Sequence, residues 1–325
     1  MKRAEVVTPV VFVHGAFCGG WAFDGFREPF EAAGFETHAP NLPHHERGAD
    51  LEQLAQTGLK DYAKAIATYA RGLRAPPVLV GHSLGGLVSQ LVATHMPIAG
   101  LVLLAPSAPW GVPPTTLDEH GNQFGLALLG DYWRRPVPPD YRVARATTLD
   151  RLSREDARHA FARFVPESGR VIRETVQWFM DHSMASQAPV YRISAPVLGL
   201  AGGKDRVNPS STVRRVIGRF PGNQAHFHEF PEMSHWLIGE PEAADVSALT
   251  LQWLDARGIG PKPVKPKRKQ LSLFGWREAA GAEAAPRSVI STISGGLRKR
   301  TGAMLVPMPP VTYICSPRSR TMPQP

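Results

Sequence analysis

Cysteine is nearly absent: Cys18 and Cys315 are the only two in 325 residues. One stands near each end, which argues against a disulfide framework and suits a reducing compartment. Long apolar runs are missing too. The chain starts Met1-Lys2-Arg3-Ala4-Glu5 and continues into an apolar run ending at Val13, too short for a signal core followed by a small-residue cleavage site. No stretch reaches the roughly 18 apolar residues of a membrane span. These shortages predict a cytoplasmic protein with no export signal and no membrane span.

Charge of one sign is also lacking from most of the chain. The formal net charge is +9, but residues 261–325 carry 12 Lys and Arg against Glu278 and Glu283, so residues 1–260 sum to −1. The basic balance belongs to an appendage and implies no anionic substrate for the rest. That appendage opens Pro261-Lys262-Pro263-Val264-Lys265-Pro266-Lys267-Arg268-Lys269 and stays rich in Pro, Ser and Arg. It has too little apolar surface to offset its ordering entropy, so residues 261–325 are expected to be a disordered, basic, Pro-rich tail. Interleaved prolines and the want of an apolar helical face argue against an ordered binder of nucleic acid or of an anionic membrane.

What remains is apolar and punctuated. The chain is 43 % hydrophobic, enough for a large core. Val10-Val11-Phe12-Val13 reads as a strand buried on both faces, followed by a helical pattern from Trp21 to Ala33, a strand from Phe35 to Ala39 and helical spacing over 51–74. Pro76-Pro77 then introduces Val78-Leu79-Val80, a helix from Leu84 to His95 and a strand from Ile98 to Leu104. The alternation resumes at the strand Val197–Ala201, with a helix near 212–219, a strand at 225–229 and a helix over 241–256. Such alternation predicts an α/β fold, a doubly wound and mostly parallel sheet built from residues 1–106 and 195–260. Residues 107–194 break the rhythm, with helical patterns near 153–164 and 171–184, and are expected to form a helical cap inserted above the carboxyl ends of the strands. No internal repeat is present.

Gly81-His82-Ser83-Leu84-Gly85 lies between a strand and a helical pattern, the setting of a nucleophile elbow. A serine hydroxyl needs a base to take its proton and an acid to hold that base, so partners are sought downstream. Asp205 stands in the loop leaving the strand Val197–Ala201, and His235 in the loop after the last strand, both on the edge that carries Ser83. Its rivals His226 and His228 fall within a strand, where packing roles are expected. Asp181 and Glu232 are the alternative acids. Backbone donors for an oxyanion are expected from Leu84 and from the turn His14-Gly15-Ala16-Phe17, with Ala16 ahead of Phe17. His14 is read as a structural hydrogen-bonding residue and Cys18 as a packed thiol.

These motifs, in this order, resemble the α/β-hydrolase superfamily. Across residues 6–257 the chain is most similar to its small cofactor-free esterases, whose first strand ends in H-G-A-x-x-x-x-W, here His14-Gly15-Ala16-Phe17-Cys18-Gly19-Gly20-Trp21. Ser83 separates it from members with an aspartate nucleophile. The resemblance implies a serine hydrolase of carboxylesterase type, working without cofactor or metal.

The inserted segment supplies Trp110, Phe124, Tyr132, Trp133, Tyr141, Trp178, Phe179 and Met180, and its charges nearly cancel. An apolar small-molecule ester therefore fits better than a highly charged one, with Phe17, Trp110, Trp133, Trp178 and Trp236 as candidate substrate contacts. Other chemistry on the same three residues (hydroxynitrile cleavage, C–C hydrolysis, perhydrolysis) and a small-molecule receptor on the same fold stay open at this level, as do acyl length and oligomeric state.

Overall fold

The computed structural model describes residues 7–128 and 130–261. Its centre is a sheet of six strands, all parallel: β1 (Pro9–Val13), β2 (Glu36–His38), β3 (Val78–His82), β4 (Gly100–Leu104), β7 (Val197–Gly202) and β8 (Ala225–Phe230), in the order β2-β1-β3-β4-β7-β8. Labels β5 and β6 fall to a two-residue antiparallel pair, Pro136–Val137 with Glu167–Ser168, in the segment between β4 and β7.

Strand alternation builds two cores, one on each face. Val11, Val13, Leu79, Leu101 and Leu103 join one cluster, while Val10, Phe12, Val78, Val80, Val102 and Leu104 join the other. Every one of them is fully buried, which explains why these strands read as continuous apolar runs. The first face is covered by α3 (Leu59–Arg71), α4 (Leu84–Ala93) and α9 (Ser210–Ile217), through Leu59, Tyr62, Ile66, Leu87, Val213 and Ile217. The second is covered by α1 (Asp24–Ala32) and α10 (Ala243–Ala256), through Phe26, Phe30, Val246 and Trp253. Each such side chain contributes about 1.5–3 kcal/mol on burial.

Two helical patterns are shorter than expected: the one near 171–184 stops at Val176, and the one over 51–74 is interrupted. The helical spacing over 51–74 resolves into two helices, α2 (Leu51–Gln56) and α3, broken at Thr57-Gly58. Thr57 turns its hydroxyl back on the Gln53 carbonyl at 2.8 Å, and the Gly58 amide donates to Asp61 at 2.8 Å. The break also receives a distant partner, because the Leu59 amide donates to the buried Glu174 carboxylate at 2.6 Å. Side-chain capping thus competes with helix continuation.

Between β4 and β7 run α5 (Leu117–Ala127), α6 (Tyr141–Thr147), α7 (Arg154–Phe161) and α8 (Gly169–Val176). Apart from Pro261, the tail expected to be disordered lies outside the described residues. Among the described residues, no helix is long and apolar enough to cross a membrane.

The winding places the site. The chain runs outward from β1 to β2, returns to β3 and proceeds to β8, so the connections after β1 and β3 leave neighbouring strands in opposite directions. A crevice opens at that switch point, at the carboxyl ends of the strands.

Candidate active site

Ser83 follows β3 and precedes α4 with φ 53° and ψ −121°, a conformation strained for any residue but glycine. The turn is over-determined around it. The Ser83 amide donates to the Leu104 carbonyl at 2.9 Å, and the Ser83 carbonyl accepts from the Gly86 and Ser107 amides, both at 2.9 Å. Gly85 is required beside it, since a Cβ there would collide with the Val13 and His14 carbonyls. The hydroxyl is thereby held at the crevice with the residue only 8 % exposed.

The structure brings Ser83, His235 and Asp205 together. His235 Nε2 lies 3.0 Å from Ser83 Oγ, and Nδ1 lies 2.8 Å from Asp205 Oδ2. A carboxylate only accepts, so Nδ1 carries the ring proton and Nε2 is left to accept from the serine hydroxyl. Asp205 is itself fixed by the Val207 and Asn208 amides, which donate to Oδ1 at 2.7 and 2.9 Å. All three residues are buried.

Two further histidines hold backbone here. His14 Nε2 accepts from the Leu42 amide at 2.9 Å, which leaves its Nδ1–H to donate to the Gly15 carbonyl at 2.9 Å. That carbonyl and the Ala16 amide are the two ends of one peptide unit, so His14 orients the Ala16 N–H. His82 Nε2 donates to the His235 carbonyl at 2.8 Å. Burial, aided by a neighbouring histidine, drives both rings down to a pKa of about 3, and both are neutral.

Among the described residues, the Ala16 and Leu84 amides donate to no other protein group. The Phe17 amide is engaged, 3.4 Å from Glu167 Oε2. Of the two turn residues considered, Ala16 therefore has the free donor. Leu84 opens α4, whose aligned dipoles favour negative charge at that end. Cys18 is buried, and burial, reinforced by Glu167, pushes its thiol well above the ordinary range, away from thiolate character.

Two apolar compartments meet at Ser83. One, of about 300 Å³, is lined by Leu84, Leu126, Val171, Ile172, Val176 and Trp178. The other, of about 680 Å³, is lined by His235, Trp236, Tyr132, Val137, Val143 and Phe164. Ala16 and Phe17 face both.

Three of the five expected substrate contacts, Phe17, Trp178 and Trp236, are therefore in the walls. Trp110 and Trp133 are not. Trp110 packs edge-on against Trp178 at 5.5 Å, and Trp133 lies under the Arg173 guanidinium at 4.4 Å. Their aromatic area covers the inserted segment instead of a ligand. Phe124 and Phe179 are largely exposed. His226 and His228 lie within β8, beside Arg257 and Phe230, and line neither compartment. Asp181 caps the Ser183 and Ala185 amides, and Glu232 pairs with Lys204, so neither alternative acid touches His235.

Two buried carboxylates beside the site are not among the residues expected from sequence. Glu240 accepts from the Ser234 amide at 2.9 Å and the Trp236 amide at 3.0 Å, gripping the backbone on both sides of His235. Its position five residues after His235, in the same loop, is a usable signal. Glu167 lies beside Phe17 and has no such local clue. Among the described residues, no group of three or more His, Cys, Asp or Glu is placed to hold a metal ion.

A serine elbow, a histidine–carboxylate pair and two free amides at the switch point of a parallel sheet define a hydrolase architecture, and the chain belongs to the alpha/beta hydrolase family, which it matches over residues 10–248. It is a serine hydrolase of that family. Among its relatives, a pyrethroid hydrolase of Sphingobium wenxiniae is 34 % identical over 232 residues, covering 66 % of this chain and 78 % of that protein. Two solved structures share the fold: a monoacylglycerol lipase of Paleococcus ferrophilus (TM-score 0.59, 24 % identity, 78 % of this chain and 97 % of that one) and a methylesterase of Arabidopsis (TM-score 0.59, 18 % identity, 77 % and 100 %).

Proposed function

We propose that the protein hydrolyses a carboxylic ester with apolar acyl and alcohol parts, by way of an acyl-enzyme on Ser83. The observation that carries this reading is the Ser83 hydroxyl, 3.0 Å from His235 Nε2 at the junction of two apolar compartments. His235 takes the hydroxyl proton as Oγ attacks the ester carbonyl, and Asp205 stabilises the imidazolium that results. The Ala16 and Leu84 amides receive the oxyanion. Collapse of the tetrahedral intermediate breaks the bond to the alcohol, whose oxygen takes the proton from His235 Nε2. A water then repeats the sequence on the acyl-enzyme and releases the acid.

That proton delivery assigns the compartments. The leaving oxygen must lie beside His235, which lines the larger compartment, so the alcohol occupies about 680 Å³ and the acyl group the smaller 300 Å³ beside Leu84. Residues 107–194 act as a cap that walls both. The apolar lining fits hydrophobic esters, and the resemblance to a pyrethroid hydrolase points the same way.

Chromogenic esters of graded acyl length, run against the intact protein and Ser83→Ala, test the proposal. Turnover is expected from the intact protein alone, with an organophosphate forming one covalent adduct on Ser83. Ester turnover retained by Ser83→Ala, or labelling at another residue, refutes it.

A further inference from the structure

The turn that carries the Ala16 amide is held by a cluster of buried ionisable groups that the proposed chemistry does not use. Glu167, on β6 of the inserted segment, is 0 % exposed. Its Oε2 faces His45 Nε2 at 3.0 Å and the Phe17 amide at 3.4 Å, and its Oε1 accepts from the Tyr62 hydroxyl at 2.6 Å and the Ser168 amide at 2.8 Å. Two residues earlier, the Val165 amide donates to the Phe17 carbonyl at 2.9 Å. Both peptide units flanking the Phe17 Cα are thus tied to residues 165–167.

Phe17 needs that hold, because its φ of 63° lies in the left-handed region that non-glycine residues leave unless their surroundings enforce it. The peptide unit just before, which carries the Ala16 N–H, is fixed at its other end by His14. If the Phe17 unit turned, the Ala16 unit joined to it through the Ala16 Cα would tilt away from the reacting carbonyl.

The cluster is also arranged so that its charge does not oppose the oxyanion. His45 Nδ1 faces the Pro43 carbonyl at 2.9 Å while Nε2 faces Glu167, so both ring nitrogens meet acceptors and the ring carries both protons. Burial works against the charged ring, but the carboxylate outweighs it and raises the His45 pKa. Burial likewise opposes ionisation of Glu167, and His45 with the donors around it holds that pKa low. A bare carboxylate beside the turn would repel the developing negative charge; the imidazolium cancels it.

We propose that Glu167, neutralised by His45, is a positioning residue that holds the turn after β1 so that the Ala16 amide points at the oxyanion. It couples the inserted segment, which walls the compartments, to the transition-state donor. The proposal rests on the Ser83 acyl-enzyme reading and fails separately from it.

The test compares wild type, Glu167→Gln, Tyr62→Phe and Ser83→Ala in steady-state hydrolysis of p-nitrophenyl butyrate, in melting temperature and in inhibition by benzeneboronic acid, which forms a tetrahedral adduct on an activated serine. Glu167→Gln is expected to lower kcat by about 10- to 100-fold, less than the roughly 10²- to 10³-fold from deleting an oxyanion donor outright. KM should stay within about twofold, and the boronic acid Ki should rise in step with the fall in kcat. Tyr62→Phe, which removes one donor and keeps the packing, should lower kcat by about 2- to 10-fold, the worth of one hydrogen bond. A folded Glu167→Gln with wild-type kcat, or with its loss confined to KM and an unchanged Ki, overturns the proposal. If Glu167→Gln does not fold, Tyr62→Phe decides, and an unchanged kcat there overturns it. Activity surviving in Ser83→Ala defeats the acyl-enzyme reading instead.

Discussion

Replacing Asp205 by asparagine removes a charge without removing volume, and the structure dictates how the new side chain must sit. Asp205 Oδ1 accepts two backbone amides, from Val207 and Asn208, at 2.7 and 2.9 Å. An asparagine can keep both only by leaving its oxygen there, which turns its NH₂ toward His235. Two donors cannot share that 2.8 Å contact, so His235 gives up the proton on Nδ1 and carries it on Nε2. Nε2 then faces Ser83 Oγ as a donor, and no base remains. In the serine-protease template the corresponding exchange lowers kcat about 10⁴-fold, or about 5.4 kcal/mol of barrier, and a loss of that order is expected here in ester turnover, with melting temperature little changed. The controls are Asp181→Asn and Glu232→Gln, whose carboxylates serve the Ser183 and Ala185 amides and Lys204. Both should retain activity within about threefold. If Asp205→Asn stayed within tenfold of wild type while either control collapsed, the tautomer argument and the assignment of the acid would both be wrong.

Two further outcomes follow from the cavity and from the buried pair. Ile172→Trp, which narrows the compartment assigned to the acyl group, should cut kcat/KM for p-nitrophenyl hexanoate more than about tenfold while sparing the acetate, since overfilling a packed wall costs about 1–3 kcal/mol; equal losses on both esters refute the assignment. The His45–Glu167 pair should shape stability against pH. His45 is raised from 6.5, so its contribution is full below 6.5 and lost as pH climbs through the folded value; Glu167 is lowered from 4.5, so its contribution is present above 4.5 and lost as pH falls through the folded value. The groups facing the pair are His14, Cys18, Glu46 and Tyr62, with Glu174 acting on Tyr62. Melting curves across pH should lose their alkaline limb in Glu167→Gln, and identical slopes in the two proteins refute the account.

The sheet was legible because its determinants are local. Val10–Val13 and Val78–Val80 are apolar on both faces, and glycines or prolines close each run, so strand positions read to within about two residues. That Ser83, Asp205 and His235 would gather at one edge was legible for the same reason: each occupies a loop directly after a strand, and parallel strands send all such loops to one edge. What failed was whatever depends on distant partners that no local motif announces. The break between α2 and α3 depends on Glu174, more than 100 residues away, as much as on Gly58. Trp110 and Trp133 looked like ligand contacts because their composition suits a pocket, but composition does not distinguish a wall from the packing behind it.

The carboxylates the sequence hid share one property. Glu167 meets Phe17, His45 and Tyr62 across separations of 150, 122 and 105 residues, and no periodicity or motif links them. Their placement is also not what stability alone favours: a buried ion pair gives up the hydration of both partners and is often matched or exceeded by apolar side chains of the same volume. An apolar residue at 167 would fill the space and leave the Phe17 amide without an acceptor. The carboxylate gives four donors a common target and so converts burial into a fixed backbone direction. Glu240 does the same for the two amides around His235, and Asp205 for the two amides of its own loop. In all three places a buried carboxyl group orients peptide units, at the edge of the sheet where, in the proposed reaction, backbone N–H groups and one imidazole must meet the charge developing on a substrate oxygen.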